Sequence, residues 1–224
     1  MPSSPGRKLV VFALWGGDPI YTQGALENLK LLPRFYPGWE ARFYVADDCP
    51  VRDELSHLCE VVPKKITEGY RGLFWRLEPM NEKGVGRFIS RDCDSRLSGR
   101  EAVAVREWEE SGLPFHVIRD CVHHRSPVLT GLFGAMTREL PSFQGSLRAW
   151  LRGWKGGWSK DAGADEQFMS KLWPDIQGRT LVHGFGGKPF PPHEPLEFGQ
   201  YCGQQIGVDG KPLTVLPQEE LYKQ

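Results

Sequence analysis

Gly86-Arg87-Phe88-Ile89-Ser90-Arg91-Asp92-Cys93-Asp94-Ser95-Arg96 is the stretch on which the reading of this chain turns. Its first half reads as a short buried strand, and its second half opens with two carboxylates one residue apart. A strand that ends in Asp-x-Asp presents both side chains where the backbone turns at a sheet edge. Two such carboxylates can hold a hard divalent cation together with the phosphate oxygens of a substrate. Arg91 and Arg96 flank the pair, and a guanidinium suits phosphate geometry. A cation there would offset the charge that develops on a departing diphosphate. By itself Asp-x-Asp is a weak signal, and the bland alternative is a solvated turn with local Arg–Asp pairs. The apolar strand in front of the triplet is what favours the functional reading.

Upstream of this stretch, strand-like and helix-like runs alternate. Leu9 to Leu14 is continuously apolar, as a strand buried on both faces must be. Trp15-Gly16-Gly17-Asp18-Pro19 breaks it. Ala25, Leu26, Leu29 and Leu32 then recur at helical spacing between Thr22 and Leu32. Ala41 to Ala46 is a second strand and stops at Asp47-Asp48. A short helix from about Val51 to Leu58 and a third strand at Glu60-Val61-Val62 follow. Tyr70 to Met80 is predicted to be helical and carries Phe74-Trp75.

Downstream, Ser98-Gly99-Arg100-Glu101 is a capping box that starts another helix, with Ala102, Val105 and Trp108 on its apolar side. Phe115-His116-Val117-Ile118 is a fifth strand. The order implies an α/β fold with one mainly parallel sheet flanked by helices. Ligands of such sheets bind beyond the carboxyl ends of the strands, where Asp47-Asp48 and Asp92-Cys93-Asp94 both fall. The second half is less regular. Val128 to Gly134 is apolar and punctuated by glycine, and Gly153 to Gly163 reads as a loop carrying Trp154 and Trp158. Asp165 to Trp173 is helix-like, Thr180 to His183 is a late strand, and the Pro- and Gly-rich run from Lys188 is expected to lie extended across the surface.

The totals bound the possibilities. The 224 residues suit one large domain with its own core. Lys plus Arg and Asp plus Glu both total 28, so no basic excess points to nucleic acid as a partner. The five cysteines form no C-x-x-C pair, which argues against a disulfide framework or a zinc knuckle and favours a reducing, cytoplasmic setting. The first apolar run is too short to span a bilayer, and as a strand it is not read as a signal peptide; peripheral attachment to a membrane stays open. Oligomeric state is not legible.

The stretches Phe74-Trp75-Arg76-Leu77-Glu78-Pro79-Met80 and Phe88 to Leu97 carry a resemblance. With Arg100-Glu101, Glu107-Trp108, Phe115 to Asp120, Gly131 to Gly134 and Asp165-Glu166-Gln167-Phe168, they are similar to small glycosyltransferases of the GT-A fold. Such enzymes occur in bacterial surface-glycan clusters and large algal viruses. The likeness runs to about Gly186. It implies a single GT-A domain over 1–224, with a donor-binding half to about residue 120. An acceptor-binding half and C-terminal tail then occupy about 121–224. It also implies a nucleotide-diphosphate-sugar donor, UDP by default, with Mn²⁺ or Mg²⁺ between its phosphates and the motif.

Residue by residue, the resemblance makes Asp94 the direct metal ligand, while Asp92 shares the metal or holds the ribose. Ala13, Leu14 and Trp15 would cradle the nucleoside, and Asp47 would bond base or ribose. Trp75, Arg76, Arg91 and Arg96 join the donor site. His183 is a candidate third metal ligand, set against the reading of a hydrogen-bonded structural histidine. Asp165 or Glu166 would contact the acceptor hydroxyl, as general base if the enzyme inverts configuration, with Asp165 slightly favoured. The helix dipole alone also explains acidic residues at that helix start. Trp154 and Trp158 would stack on an acceptor sugar in a glycan or close over the donor, set against the reading that they anchor their own loop. Cys93 would make the motif sensitive to oxidation if exposed.

Competing readings are a phosphohydrolase of the haloacid dehalogenase type, a nucleotidyltransferase, and a non-catalytic sugar-nucleotide or glycan-binding module. The first normally carries its motif on the first strand. The second usually has a basic Gly-rich loop there, and Trp15-Gly16-Gly17-Asp18 lacks the basic residue.

Overall fold

A computed structural model of the chain describes residues 6–65, 69–154, 163–190, 196–217 and 221. One seven-stranded sheet runs through both halves of the sequence, in the order β3-β2-β1-β4-β6-β5-β7. The strands are β1 (Arg7–Leu14), β2 (Glu40–Ala46), β3 (Glu60–Lys64), β4 (Val85–Arg91), β5 (Phe115–Arg119), β6 (Leu132–Met136) and β7 (Thr180–Gly184). All are parallel to their neighbours except β6, which runs against both β4 and β5. The helices are α1 (Pro19–Phe35), α2 (Arg52–Leu58), α3 (Gly99–Ser111), α4 (Phe143–Gly153) and α5 (Ala164–Ile176).

Strand alternation sorts the core into two layers. Val10 and Phe12 of β1, Phe43 and Val45 of β2 and Ile89 of β4 face α1, α2 and α3, meeting Ala25, Leu32, Leu55, Val105 and Trp108. Leu9, Val11, Tyr44 and Phe88 face the other way, against Phe74, Leu77, Phe143, Phe168 and Met169. Register reinforces this: Phe12 sits opposite Phe43 and the rings stack at 4.5 Å. Each such ring removed from water contributes about 1.5–3 kcal/mol. Ser98 caps α3 as the sequence predicts, accepting from the Glu101 amide.

Three segments differ from expectation. Gly69–Asn81 is a run of 3-10 turns rather than an α-helix. It contains Pro79, which offers no amide to an α-helical ladder. Helix α4 was not anticipated, although Phe143, Leu147, Trp150, Leu151 and Trp154 fall at helical spacing. Beyond Gly199 the chain lies only partly on the surface: Val208, Leu213 and Val215 are exposed, but part of it turns inward. Cys202 and Ile206 are buried, and the segment folds back onto the end of β4. Among the described residues no helix is long and apolar enough to cross a membrane.

Candidate active site

The chain leaves β1 toward β2 on one side of the sheet, while β4 lies on the other. A crevice opens at such a switch, beyond the strand carboxyl ends. Here it is a cleft of about 670 Å³. Ala13, Leu14 and Trp15 line it from the end of β1, and Asp92, Cys93 and Asp94 from the end of β4. Glu166 and Asp165 enter from the start of α5, Arg76 from the 3-10 segment and Gln205 from the C-terminal segment.

Two glycines let these pieces meet. The antiparallel pairing of β4 with β6 sets Arg91 opposite Leu132, so Gly131 comes up against Asp92. A Cβ at 131 would overlap the Asp92 carboxylate. On the other side Gly24 lets α1 press on the turn after β4, where a Cβ would overlap the Cys93 carbonyl oxygen. The Asn28 side chain fastens that contact, donating to the Ser95 carbonyl at 2.9 Å and accepting from the Leu97 amide at 2.9 Å.

Arg76 is the hub of the cleft floor. It is buried, and its guanidinium donates to Asp92 through Nη1. Through Nη2 it reaches Asp165 Oδ2 at 2.7 Å and Thr130 Oγ1 at 2.9 Å. Thr130 also donates to Asp165 Oδ2, and the Glu166 amide donates to Asp165 Oδ1 at 3.0 Å. Both oxygens of the 1%-exposed Asp165 are thus engaged. Asp165 anchors Arg76, and Glu166 lines the cleft beside it. Burial, then the charges of Asp165 and Asp92, push the Glu166 carboxyl up to about 7.

Asp94 is almost fully buried, and Gln205 Nε2 donates to its Oδ2 at 2.6 Å. Burial, then the neighbouring Asp92 charge, raises its proton affinity. The Tyr21 hydroxyl lies beside Asp94, and burial and that charge push it up to about 12. Two carboxylates on one cleft are an oxygen donor set that suits Mg²⁺ or Mn²⁺, with water and substrate oxygens completing the shell. Asp92 and Asp94 both line the cleft, so their oxygens are a donor set of the kind such an ion takes. Cys93 turns away. It is buried against the Ala13 carbonyl, and burial raises its thiol far above the usual range, so the motif is shielded from oxidation.

No protein-family model matches the sequence, and no curated protein matches it significantly. Solved structures do. The chain is similar to a glycosyltransferase involved in the glycosylation of the major capsid of PBCV-1, at 15% identity and a TM-score of 0.49, covering 79% of this chain and 81% of that one. It is similar also to 4-diphosphocytidyl-2C-methyl-D-erythritol synthase from Anaerococcus prevotii, at 10% identity and a TM-score of 0.48, covering 80% and 89%. Likeness at this level leaves the reaction to be decided by the residues of the cleft.

Several predicted site residues lie elsewhere. Arg91 shares a strand face with Ile89, so it points into the α1/α3 layer rather than toward a phosphate. There, buried, it donates to Glu101 Oε2 at 3.1 Å, and Tyr36 donates to the other oxygen at 3.0 Å. Arg96 folds back on its own turn, donating to the Ser95 carbonyl at 3.0 Å. Asp47 is exposed and does not line the cleft; Asp48 instead accepts from the Gly16 amide at 3.0 Å and braces the loop after β1. Trp75 supports from behind, edge-on to Trp15 at 6.0 Å.

His183 is not brought to the acidic pair. It lies on β7, at the far edge of the sheet, fully buried. Its Nδ1 meets His116 Nε2 at 2.9 Å and its Nε2 meets Glu107 Oε2 at 2.7 Å, so both ring nitrogens are engaged. Among the described residues no three His, Cys, Asp or Glu side chains cluster to hold a metal. Trp154 lines a separate groove between α4 and α5, with Trp150, Phe168 and Lys171. Trp158 lies outside the described residues. Thr130, Tyr21 and Gln205 were missed. Thr130-Gly131 sits in a glycine-punctuated run that marks close packing, whereas a single Gln in an irregular tail carries no signal.

Proposed function

We propose that this chain is a metal-dependent glycosyltransferase, moving a sugar from a nucleotide diphosphate, with UDP first choice, to a hydroxyl of a glycan. The observation that carries this is the convergence of Asp92, Asp94 and Glu166 on one cleft at the switch point of the sheet. A general base works best with a pKa near the operating pH, and Glu166 sits at about 7. Asp92 and Asp94 would hold Mn²⁺ or Mg²⁺, which supplies charge to offset the leaving diphosphate.

In this reading residues to about 120 bind the donor, with Ala13, Leu14 and Trp15 against the nucleoside. The remainder meets the acceptor. Glu166 accepts the proton of the acceptor hydroxyl as its oxygen bonds the anomeric carbon and the bond to diphosphate breaks. Arg76 holds Asp92 and, through Asp165, the start of α5, so donor and base stay in one geometry. With Glu166 as base this reading is written for inversion of configuration, which the anomeric signal of the product would check.

The test is a thermal-shift panel of UDP-, GDP-, dTDP- and CMP-sugars, each with and without Mn²⁺, on the wild type and on Asp94→Asn. A ligand that binds only the folded state raises the melting temperature by mass action. A Mn²⁺-dependent rise with one nucleotide class, lost in Asp94→Asn, is expected. No response to any sugar nucleotide would sink the reading, and release of phosphate from a phosphomonoester would replace it with a phosphohydrolase.

A further inference from the structure

Asp94 is held by a part of the chain that its sequence gives no reason to place there. Gln205 Nε2 donates to the Asp94 side chain at 2.6 Å. The next amide, Ile206 N, donates to the Asp94 carbonyl at 2.8 Å. Two consecutive residues grip the side chain and the main chain of an aspartate 111 positions away. Gln205 also lines the cleft itself.

The segment that presents Gln205 is braced independently of the cleft. Gln200 Nε2 donates to the Leu216 carbonyl at 2.8 Å, and the Leu216 amide returns a bond to Gln200 Oε1 at 2.7 Å. Gln204 Nε2 donates to the Thr214 carbonyl at 2.6 Å. The Cys202 amide donates to Asp120 Oδ2 at 3.0 Å, and Asp120 is itself held by both arms of Arg100. Gln200 and Gln204 thus tie the segment together, and Gln205 turns its amide to the carboxylate.

We propose that Gln205 is the positioning residue of Asp94, orienting its carboxylate for a divalent cation. This rests on the glycosyltransferase reading, which places a cation there. A hydrogen-bond donor on one oxygen of a metal-binding carboxylate removes rotational freedom and offsets part of the cost of burying its charge. The residue next to Gln205 adds to this by fixing the backbone of the same aspartate. The C-terminal segment is therefore part of the donor site, not a trailing end.

Mn²⁺ binding can be read directly on the whole chain, from the loss of the free-ion electron paramagnetic resonance signal on titration. The comparison is between wild type, Gln205→Met and Gln205→Asn, with unliganded melting temperatures alongside. Met keeps the length of the side chain but cannot donate; Asn can donate but is one methylene too short. Both variants are expected to bind Mn²⁺ about 10- to 100-fold more weakly, with melting temperatures close to wild type. Should Gln205→Met fail to fold, Gln205→Asn supplies the same readout. Unchanged Mn²⁺ affinity with a lowered melting temperature would mean that Gln205 only packs the segment, and the proposal would fall alone. A wild type that binds no Mn²⁺, with or without UDP, would overturn this proposal together with the glycosyltransferase reading.

Discussion

Two polar clusters sit on this sheet, one at its middle strands and one toward an edge, and both are made of residue types that hold metals and move protons. One is Asp92, Asp94, Asp165, Glu166 and Arg76 at the ends of β1 and β4. The other is His116, His183, Glu107 and Lys188 around β5 and β7. In the second, each partner is matched: His116 meets His183, and Glu107 receives both His183 and Lys188, the latter at 2.7 Å. His116 also stacks on Trp108 with centroids 5.5 Å apart. In the first, the carboxylates of Asp94 and Glu166 crowd a cleft, and burial first, then neighbouring carboxylate charge, raises their proton affinities. What separates a site from a structural network is uncompensated capacity facing a cavity, not the residue types in it.

The sharpest way to break this comparison is Asp94→Asn. It keeps the shape of the side chain and removes its charge. Turnover with the cognate sugar nucleotide and Mn²⁺ is expected to fall about 10³-fold in kcat/KM, or ~4 kcal/mol of transition-state stabilisation. Retained turnover would put the catalytic charge elsewhere. Next in size is Arg76→Met, read as stability. It leaves the buried Asp165 without its counter-ion, and breaking such a pair costs about 3–5 kcal/mol. Arg76→Met with Asp165→Leu should recover part of that loss, because an apolar pair replaces a stranded charge. A double variant no more stable than the single one would deny the pairing its role.

The same contrast explains how far the sequence could be read. Strand-forming runs such as Leu9 to Leu14 and Phe88 to Ser90 announce β1 and β4, because burial on both faces needs continuous apolar residues. The end of a strand is then a place, so Asp92 and Asp94 were legible. Partners are not announced in this way. Arg76 and Asp165 are expected at the site, but that Arg76 ties Asp92 to Asp165 and Thr130, and that Gln205 bonds Asp94, joins segments far apart in the chain, which no local pattern reports. Arg91 misled for the same reason. Its neighbour in sequence is Asp92, but strand alternation sends it to the other layer. His183 has the chemistry of a ligand, and only the fold shows that both its nitrogens are already engaged.

Glu166→Gln sharpens the comparison from the acidic side. As general base it is expected to be worth about 10²-fold in kcat, with the rate rising through pH 7 in the wild type and that limb absent in the variant. Stability should move the other way. A carboxyl raised to about 7 makes the folded state bind its proton more tightly than the unfolded one. The stability it contributes is therefore present below about pH 4.5 and is lost as pH rises through 7. Glu166→Gln, neutral at every pH, should flatten this fall, so that above pH 7 the variant melts higher than the wild type. A variant that is less active but shows the wild-type pH dependence of melting would mean that another group titrates.

His183→Asn probes the other cluster and should give the smallest effect and the cleanest contrast. It removes the bonds to His116 and Glu107 from a fully buried position, a loss of about 1–3 kcal/mol in stability. Burial lowers the proton affinity of both histidines, most of all that of His116. A histidine whose folded pKa is depressed contributes stability that is present above its ordinary value of 6.5 and is lost as pH falls below it. The acid side of the melting profile should therefore be shallower in His183→Asn than in the wild type. Mn²⁺ affinity should not change, because the second cluster is complete without a metal. If His183→Asn instead weakens Mn²⁺ binding by about tenfold or more, the histidine leaves Glu107 to join Asp94 when metal is present, and the division between the two clusters fails.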